Sequence, residues 1–218
     1  MADLFVNVIG FKLNSNWWKS SKADRSDILK ALKGMFKDSG DGKTMVRAEL
    51  YSSLRPDTDI ILWLISSDSR TIVDFKAKVM KLISGVTDIR HGFLSLYRRN
   101  PGEDYKRTNN GTANKFFVAY PVKKMPEWYL LGREERSRIM AEHIATAVHG
   151  SKKDSIISYT TRSFGIGDAD FFVMYELESL SDWVDIAEKL RSVEAHRWVS
   201  REDPILVGEK TEFEELMQ

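Results

Sequence analysis

Shifting the 218-residue chain against itself by 111 positions superposes its two halves without a gap over long stretches. Phe5 falls on Phe116, Lys12 on Lys123, Trp17 on Trp128, and Arg25-Ser26 on Arg136-Ser137. The same shift sets Ile28 on Ile139, Ser52 on Ser163, Asp57 and Asp59 on Asp168 and Asp170, and Val73-Asp74 on Val184-Asp185. One constant offset across separate segments marks an internal duplication. The fold must then be one that a single unit can build twice.

Each copy predicts the same order of elements. Residues 4–12 and 115–123 are apolar and β-prone. Residues 24–36 and 134–148 carry apolar side chains at helical spacing: Ile28, Leu29, Leu32 and Phe36, then Ile139, Met140, Ile144 and Ala147. Two strands follow, joined in the second copy by the turn Gly165-Ile166-Gly167-Asp168. A second helix over 70–84 and 181–197 and a closing strand over 91–98 and 204–209 complete each unit. The order β-α-β-β-α-β is that of a ferredoxin-like unit, with helices on one face of an antiparallel sheet. The expected fold class is therefore α+β: two tandem ferredoxin-like repeats, residues 1–98 and 115–218, forming a dimeric α+β barrel within one chain. The polar, turn-rich segment 99–114 is the linker between them.

Composition removes several functions. The 33 basic and 32 acidic residues leave a net charge of +1, so no global field favours nucleic acid or an anionic membrane. There is no cysteine, which excludes disulfides, iron–sulfur clusters, thiolate catalysis and covalent c-type haem attachment. The longest apolar run, Ile60 to Ile65, is too short to span a bilayer. The N-terminus lacks the basic and apolar regions of a signal peptide, and a soluble cytoplasmic protein is expected.

The duplication also supplies an internal control, because a position that is core in one copy and polar in the other needs a reason. Leu32 becomes His143, Ile83 becomes Glu194, and Ile9 becomes Tyr120. His143 lies four residues after Ile139 and shares its stripe. A histidine on such a stripe is, taken alone, most simply a core residue. Glu194 lies four after Leu190, on the stripe of Trp183, Ile186 and Ala187, and a core-facing glutamate is costly without a partner. Helices of one unit are neighbours, so the expected pair is Glu194 with His143. A carboxylate on one imidazole nitrogen leaves the other free for a metal and raises its basicity. Neither His149 nor His196 stands at a spacing suited to a second ligand, so a macrocycle is expected to hold the metal's other positions. Tyr120 precedes Pro121, Lys123, Lys124 and Trp128, a stretch suited to a carboxylated, redox-active ring. Trp128 has a counterpart in Trp17, and Asp168 and Asp170 have theirs in Asp57 and Asp59, so scaffold and turn chemistry account for these three.

The stretch from Tyr120 through Pro121, Lys123, Lys124, Trp128 and Tyr129 to His143 resembles the signature of the chlorite dismutase and coproheme decarboxylase superfamily. Ser163 to Asp170 and Pro204 to Gly208 are similar to it too, and over the first half the likeness is architectural. The resemblance implies haem b or iron-coproporphyrin III (coproheme) bound non-covalently in the second repeat. It makes His143 the proximal iron ligand and Glu194 its hydrogen-bond partner, and it implies a homopentamer. Tyr120 is the tyrosine of the decarboxylase branch, so the implied reaction is peroxide-dependent removal of two propionate carboxyls from coproheme to give haem b, in haem biosynthesis. Lys124, or Lys123 in a shifted register, would hold the propionate. Counting back from Gly165, the distal position falls on Ser158, where chlorite dismutases carry arginine and well-known decarboxylases glutamine or histidine. A longer loop after His143 leaves open a register that brings in Arg162. The alternatives are a non-catalytic haem carrier or sensor, which Ser158 favours, and a chlorite dismutase-like or weak peroxidase activity, which it disfavours.

Overall fold

A computed structural model describes residues 3–38, 44–98, 115–150 (148–150 through their backbone alone) and 156–210; the expected linker 99–114 lies outside the described residues. The first half runs β1 (Leu4–Leu13), α1 (Ser15–Lys19), α2 (Lys22–Asp38), β2 (Met45–Ser53), β3 (Ile60–Ser66), α3 (Ser69–Ile83) and β4 (Thr87–Tyr97). The second runs β5 (Phe116–Lys124), a 3-10 turn (Pro126–Leu130), α4 (Arg133–Gly150), β6 (Ile156–Arg162), β7 (Phe171–Leu177), α5 (Leu180–Arg191), α6 (Glu194–Arg197), β8 (Val199–Arg201) and β9 (Leu206–Lys210).

Eight antiparallel strands close into a barrel in the order β7-β6-β4-β1-β3-β2-β9-β5, with β5 pairing back to β7, while β8 extends the far end of β5. Closure leaves these eight strands without a free edge. Within each half the order is fourth, first, third, second: β4-β1-β3-β2 and β9-β5-β7-β6. The halves meet where β2 pairs with β9 and β4 with β6.

The 111-residue offset reappears as geometry. Ile9 faces Leu62 across β1 and β3, and Tyr120 faces Val173 across β5 and β7. The Leu13 amide donates to Asp59 Oδ2 at 2.7 Å, and the Lys124 amide to Asp170 Oδ2 at 2.7 Å. Trp17 N donates to Asn14 O at 3.1 Å, as Trp128 N does to Met125 O at 3.0 Å. The offset slips by one at β2 and β6. Ser53 N donates to Asp59 O and Ser163 N to Asp170 O, so the counterpart of Ser163 is Ser53 and not the expected Ser52. The second turn holds the extra residue, and Gly165 takes a φ of 70° there, a conformation open to a residue without a Cβ.

Strand alternation sorts the side chains into two cores. The barrel interior is filled by Val6, Val8, Tyr51, Trp63, Phe117 and Met174, among others. It also holds a buried ion pair between the halves: Arg47 Nη1 lies 2.8 Å from Glu176 Oε2, and the Tyr159 hydroxyl donates to the same oxygen at 2.7 Å. Outside the first half's sheet, α2 and α3 pack Leu29, Leu32, Ile72, Phe75, Val79 and Ile83 against Ile9, Leu62 and Leu64. Strand β3 is covered on both faces, so all its residues are buried and its sequence reads as one apolar run.

The helix expected over 181–197 is two helices. Ser179 caps α5 by accepting from the Asp182 amide, and the helix ends at Ser192, whose amide turns back to Lys189 O. Val193 is extended, with φ −79° and ψ 151°, before α6 begins at Glu194. That break removes Glu194 from the α5 stripe.

Candidate functional site

Where the first half seats Ile9 and Leu32 in a buried core, the second half holds a cavity of about 270 Å³ between its sheet and its helices. Alternation on β5 aims Tyr120, Val122 and Lys124 at it, and β7 contributes Phe171, Val173 and Tyr175. Met140 and His143 of α4 and Trp183, Ala187 and Leu190 of α5 form the opposite wall. His143 thus takes the position of Leu32, and Tyr120 that of Ile9, on a face that no longer closes.

The polar groups gather at one side. Lys124 Nζ donates to Ala195 O at 3.2 Å and lies 4.8 Å above the Trp128 ring. Burial lowers its pKa, opposed by Glu202 and Asp170. Arg191 Nη1 bonds Glu202 Oε2 at 2.5 Å and donates to His196 Nε2 at 3.0 Å. His143 Nδ1 is buried and has no hydrogen-bond partner among the described residues. Burial lowers the His143 pKa and Lys124 lowers it further against the pull of Glu202, so the ring is held as neutral imidazole, the form that binds a metal. Burial, with Tyr175 adding to it, holds the Tyr120 hydroxyl far above the usual phenol pKa range. It is a neutral O–H donor at any working pH. Among the described residues no cluster of three or more His, Asp or Glu stands ready to hold a bare metal ion.

The cavity brings together four of the expected residues, Tyr120, Lys124, Trp128 and His143. Three others stand apart. Glu194 Oε2 lies 2.8 Å from Arg138 Nη2, on the outer side of α4, so the expected pairing with His143 is not made. Lys123 points to the other face of β5 and is exposed, so Lys124 is the one of the two that lines the cavity. Ser158 is on the cavity-facing side of β6 but opposite Tyr175, beyond the lining; the residue of β6 that lines the cavity is Thr160, opposite Val173. Arg162 faces Phe171 and is exposed. His149's side chain lies outside the described residues. Sequence patterning missed Thr160, Tyr175, Trp183, Arg191, His196 and Glu202, all of which line the cavity. Alternation outward from Val173 and the 111 offset mark Tyr175 and Trp183; Glu202 lies in an irregular segment with no periodicity to reveal it.

Known proteins share this architecture. A family model described as Chlorite dismutase matches residues 25–211. Coproheme decarboxylase from Mycolicibacterium smegmatis is 27% identical over 205 residues, covering 89% of this chain and 85% of that one. Chlorite dismutase from Ideonella dechloratans is 23% identical, covering 99% of this chain and 79% of that one. A crystal structure bearing the chlorite dismutase name superposes with a TM-score of 0.90 at 30% identity, covering 100% of this chain and 98% of the other. A substituted chlorite dismutase from Candidatus Nitrospira defluvii superposes with a TM-score of 0.84 at 19% identity, over 100% of this chain and 95% of the other.

Proposed function

The chain belongs to the chlorite dismutase family, and on that premise we propose that it is a haem-binding oxidoreductase of haem biosynthesis that converts iron-coproporphyrin III to haem b with hydrogen peroxide. The observation that carries this reading is the facing of His143 and Tyr120 across one cavity, each replacing an aliphatic core residue of the other half. We read the two halves as tandem ferredoxin-like repeats, residues 1–98 and 115–218, of which only the second binds tetrapyrrole, in a cytoplasmic homopentamer. Among the described residues no helix is long and apolar enough to cross a membrane.

The residues present fit such a ligand. A half-buried imidazole whose buried Nδ1 has no hydrogen-bond partner among the described residues suits a metal held otherwise by a macrocycle. Val122, Val173, Ala187 and Leu190 offer apolar surface to a flat ring, and Lys124 and Arg191 supply cations for its carboxylates. When bound, the iron porphyrin supplies the oxidative chemistry with peroxide. His143 anchors the iron from α4. Glu202 takes the electrostatic role expected of Glu194, since it is the carboxylate that acts on His143. Lys124 orients the propionate, and its backbone is pinned by Asp170. Tyr120, as a phenoxyl radical, would take a hydrogen atom from the propionate β-carbon; the carbon radical would then give one electron to the second oxidising equivalent that peroxide supplies, and so become a vinyl group with loss of carbon dioxide. Placement governs the rate here, because a displacement of about 1 Å costs on the order of a hundredfold.

A second reading, haem carriage without catalysis, draws on Thr160. The β6 residue lining the cavity is a neutral hydroxyl where peroxide or chlorite chemistry is served by a stronger donor, and this weighs most against chlorite decomposition. Coproheme-loaded protein titrated with hydrogen peroxide and followed by mass spectrometry decides among them. Two successive losses of carbon dioxide, abolished in Tyr120→Phe, support the decarboxylase. An unchanged porphyrin supports the carrier, and oxygen release from chlorite supports the third activity. If His143→Ala leaves the Soret band and haem affinity unaltered, the ligand assignment fails.

A further inference from the structure

Tyr120 is one of three oxidisable rings that replace aliphatic side chains of the first half. By strand register Tyr120 stands where Ile9 does and Tyr175 where Leu64 does. Trp183 is the fourth residue of α5, as Ile72 is of α3. All three first-half residues are buried core. The three replacements touch in series. The Tyr120 and Tyr175 rings stack with centroids 6.0 Å apart and an interplanar angle of 25°, and Tyr175 lies 4.2 Å from Trp183. All three rings line the cavity. Packing alone would be served by phenylalanine or leucine at each place, whereas every choice here is a ring that can lose an electron.

We propose that Tyr120, Tyr175 and Trp183 form a radical relay, which draws an oxidising equivalent off Tyr120 when no propionate carbon is there to consume it. The relay rests on the peroxide-dependent reading of the same cavity, with hydrogen peroxide as the oxidant that leaves Tyr120 as a phenoxyl radical. Tyr175 gives an electron to Tyr120 across the stacked rings while its hydroxyl proton passes through cavity water to the Tyr120 oxygen, so one O–H bond breaks, the other forms, and the radical moves to Tyr175. Trp183 then gives an electron to Tyr175, which takes a proton from cavity water. The indole radical cation releases its Nε1 proton to the same water. Tyr120 and Tyr175 end restored, and Trp183 carries the deficit of one hydrogen atom.

The test uses the full-length protein loaded with haem b, which leaves Tyr120 without its decarboxylation substrate. It is mixed with hydrogen peroxide, freeze-quenched, and read by electron paramagnetic resonance with and without ring-deuterated tryptophan. The expected wild-type signal narrows on tryptophan deuteration. Trp183→Phe and Tyr175→Phe both lose that narrowing and leave a tyrosine signal, and Trp183→Tyr, which keeps an oxidisable ring, restores a two-ring signal free of tryptophan. Each variant is first matched to wild type in Soret band and circular dichroism. A wild-type signal indifferent to tryptophan deuteration, or one unchanged in Trp183→Phe, overturns the relay. A parallel coproheme arm separates the two ideas. Carbon dioxide loss from coproheme upholds the decarboxylase reading whatever the haem b arm shows, whereas a tryptophan signal with haem b and an unchanged coproheme upholds the relay and sinks the decarboxylase reading.

Discussion

Replacing Glu176 by leucine tests how the two halves are held together. Arg47 and Glu176 come from different halves, their side chains are only 7% and 1% exposed, and they meet at 2.8 Å inside the barrel. The guanidinium also lies 4.4 Å from the centre of the Trp63 ring. Its charge is held by Glu176 against the desolvation that opposes it. In Glu176→Leu the guanidinium loses its counter-charge and the Tyr159 hydroxyl loses the acceptor at 2.7 Å. Breaking one side of a buried pair costs about 3–5 kcal/mol, because the remaining charge is left uncompensated. A protein of this size shifts in Tm by roughly 2–4 °C per kcal/mol, so a fall on the order of 10 °C is expected. The double variant Arg47→Met, Glu176→Leu removes both charges. It should recover most of the loss, since apolar replacement of a whole buried pair is often neutral or stabilising by about 1–4 kcal/mol. Urea unfolding of the wild type, both single variants and the double variant completes a double-mutant cycle. A Glu176→Leu protein within about 0.5 kcal/mol of wild type, or a double variant no more stable than the singles, refutes the reasoning.

Three further outcomes follow from the site. Asp59→Ala and Asp170→Ala each strip a backbone amide of its acceptor and should each cost about 1–3 kcal/mol in chemical denaturation; only Asp170→Ala should also weaken porphyrin binding, because the amide it holds is that of Lys124. Burial depresses the folded-state pKa of Lys124, so the unfolded chain binds more protons between that value and the ordinary lysine range, and stability rises with pH across this window. Lys124→Met should therefore stabilise the ligand-free protein at neutral pH and weaken binding of a carboxylated porphyrin. The stability gap should narrow as pH rises towards the ordinary lysine pKa; a gap constant with pH would count against a buried-charge cause. Glu194→Ala removes a contact with the half-exposed Arg138 and should change stability by less than about 1 kcal/mol, with the ferric haem spectrum unaltered, whereas Glu202→Gln should shift that spectrum.

The comparison of the two halves made the closed antiparallel body and two of the chief cavity residues legible because it compares like with like. A duplicated backbone sets the same inward positions twice, so a polar residue at an aliphatic position marks a face that has stopped packing. The inference holds as far as the backbone stays in phase. His143 lies deep in α4, where the period running from Ile139 is unbroken, and it arrives at the cavity. Glu194 follows an extended residue, Val193, which is itself buried and apolar and so hides the break from any hydrophobic pattern. A single backbone kink turns the glutamate towards Arg138. Ser158 comes from a count back from Gly165 and not from the offset between the halves; β6 carries it on the same face as Thr160 but two residues away, and it is Thr160 that lines the cavity. Glu202 has no regular element to carry it, and only the fold brings it beside Arg191. Tyr175 and Trp183 differ from these, for both lie in phase on regular elements, and the same offset taken at every position marks them through Leu64 and Ile72. Chemistry that the halves' common backbone positions can be read from a duplicated sequence, whereas chemistry placed by a kink or a loop requires the fold.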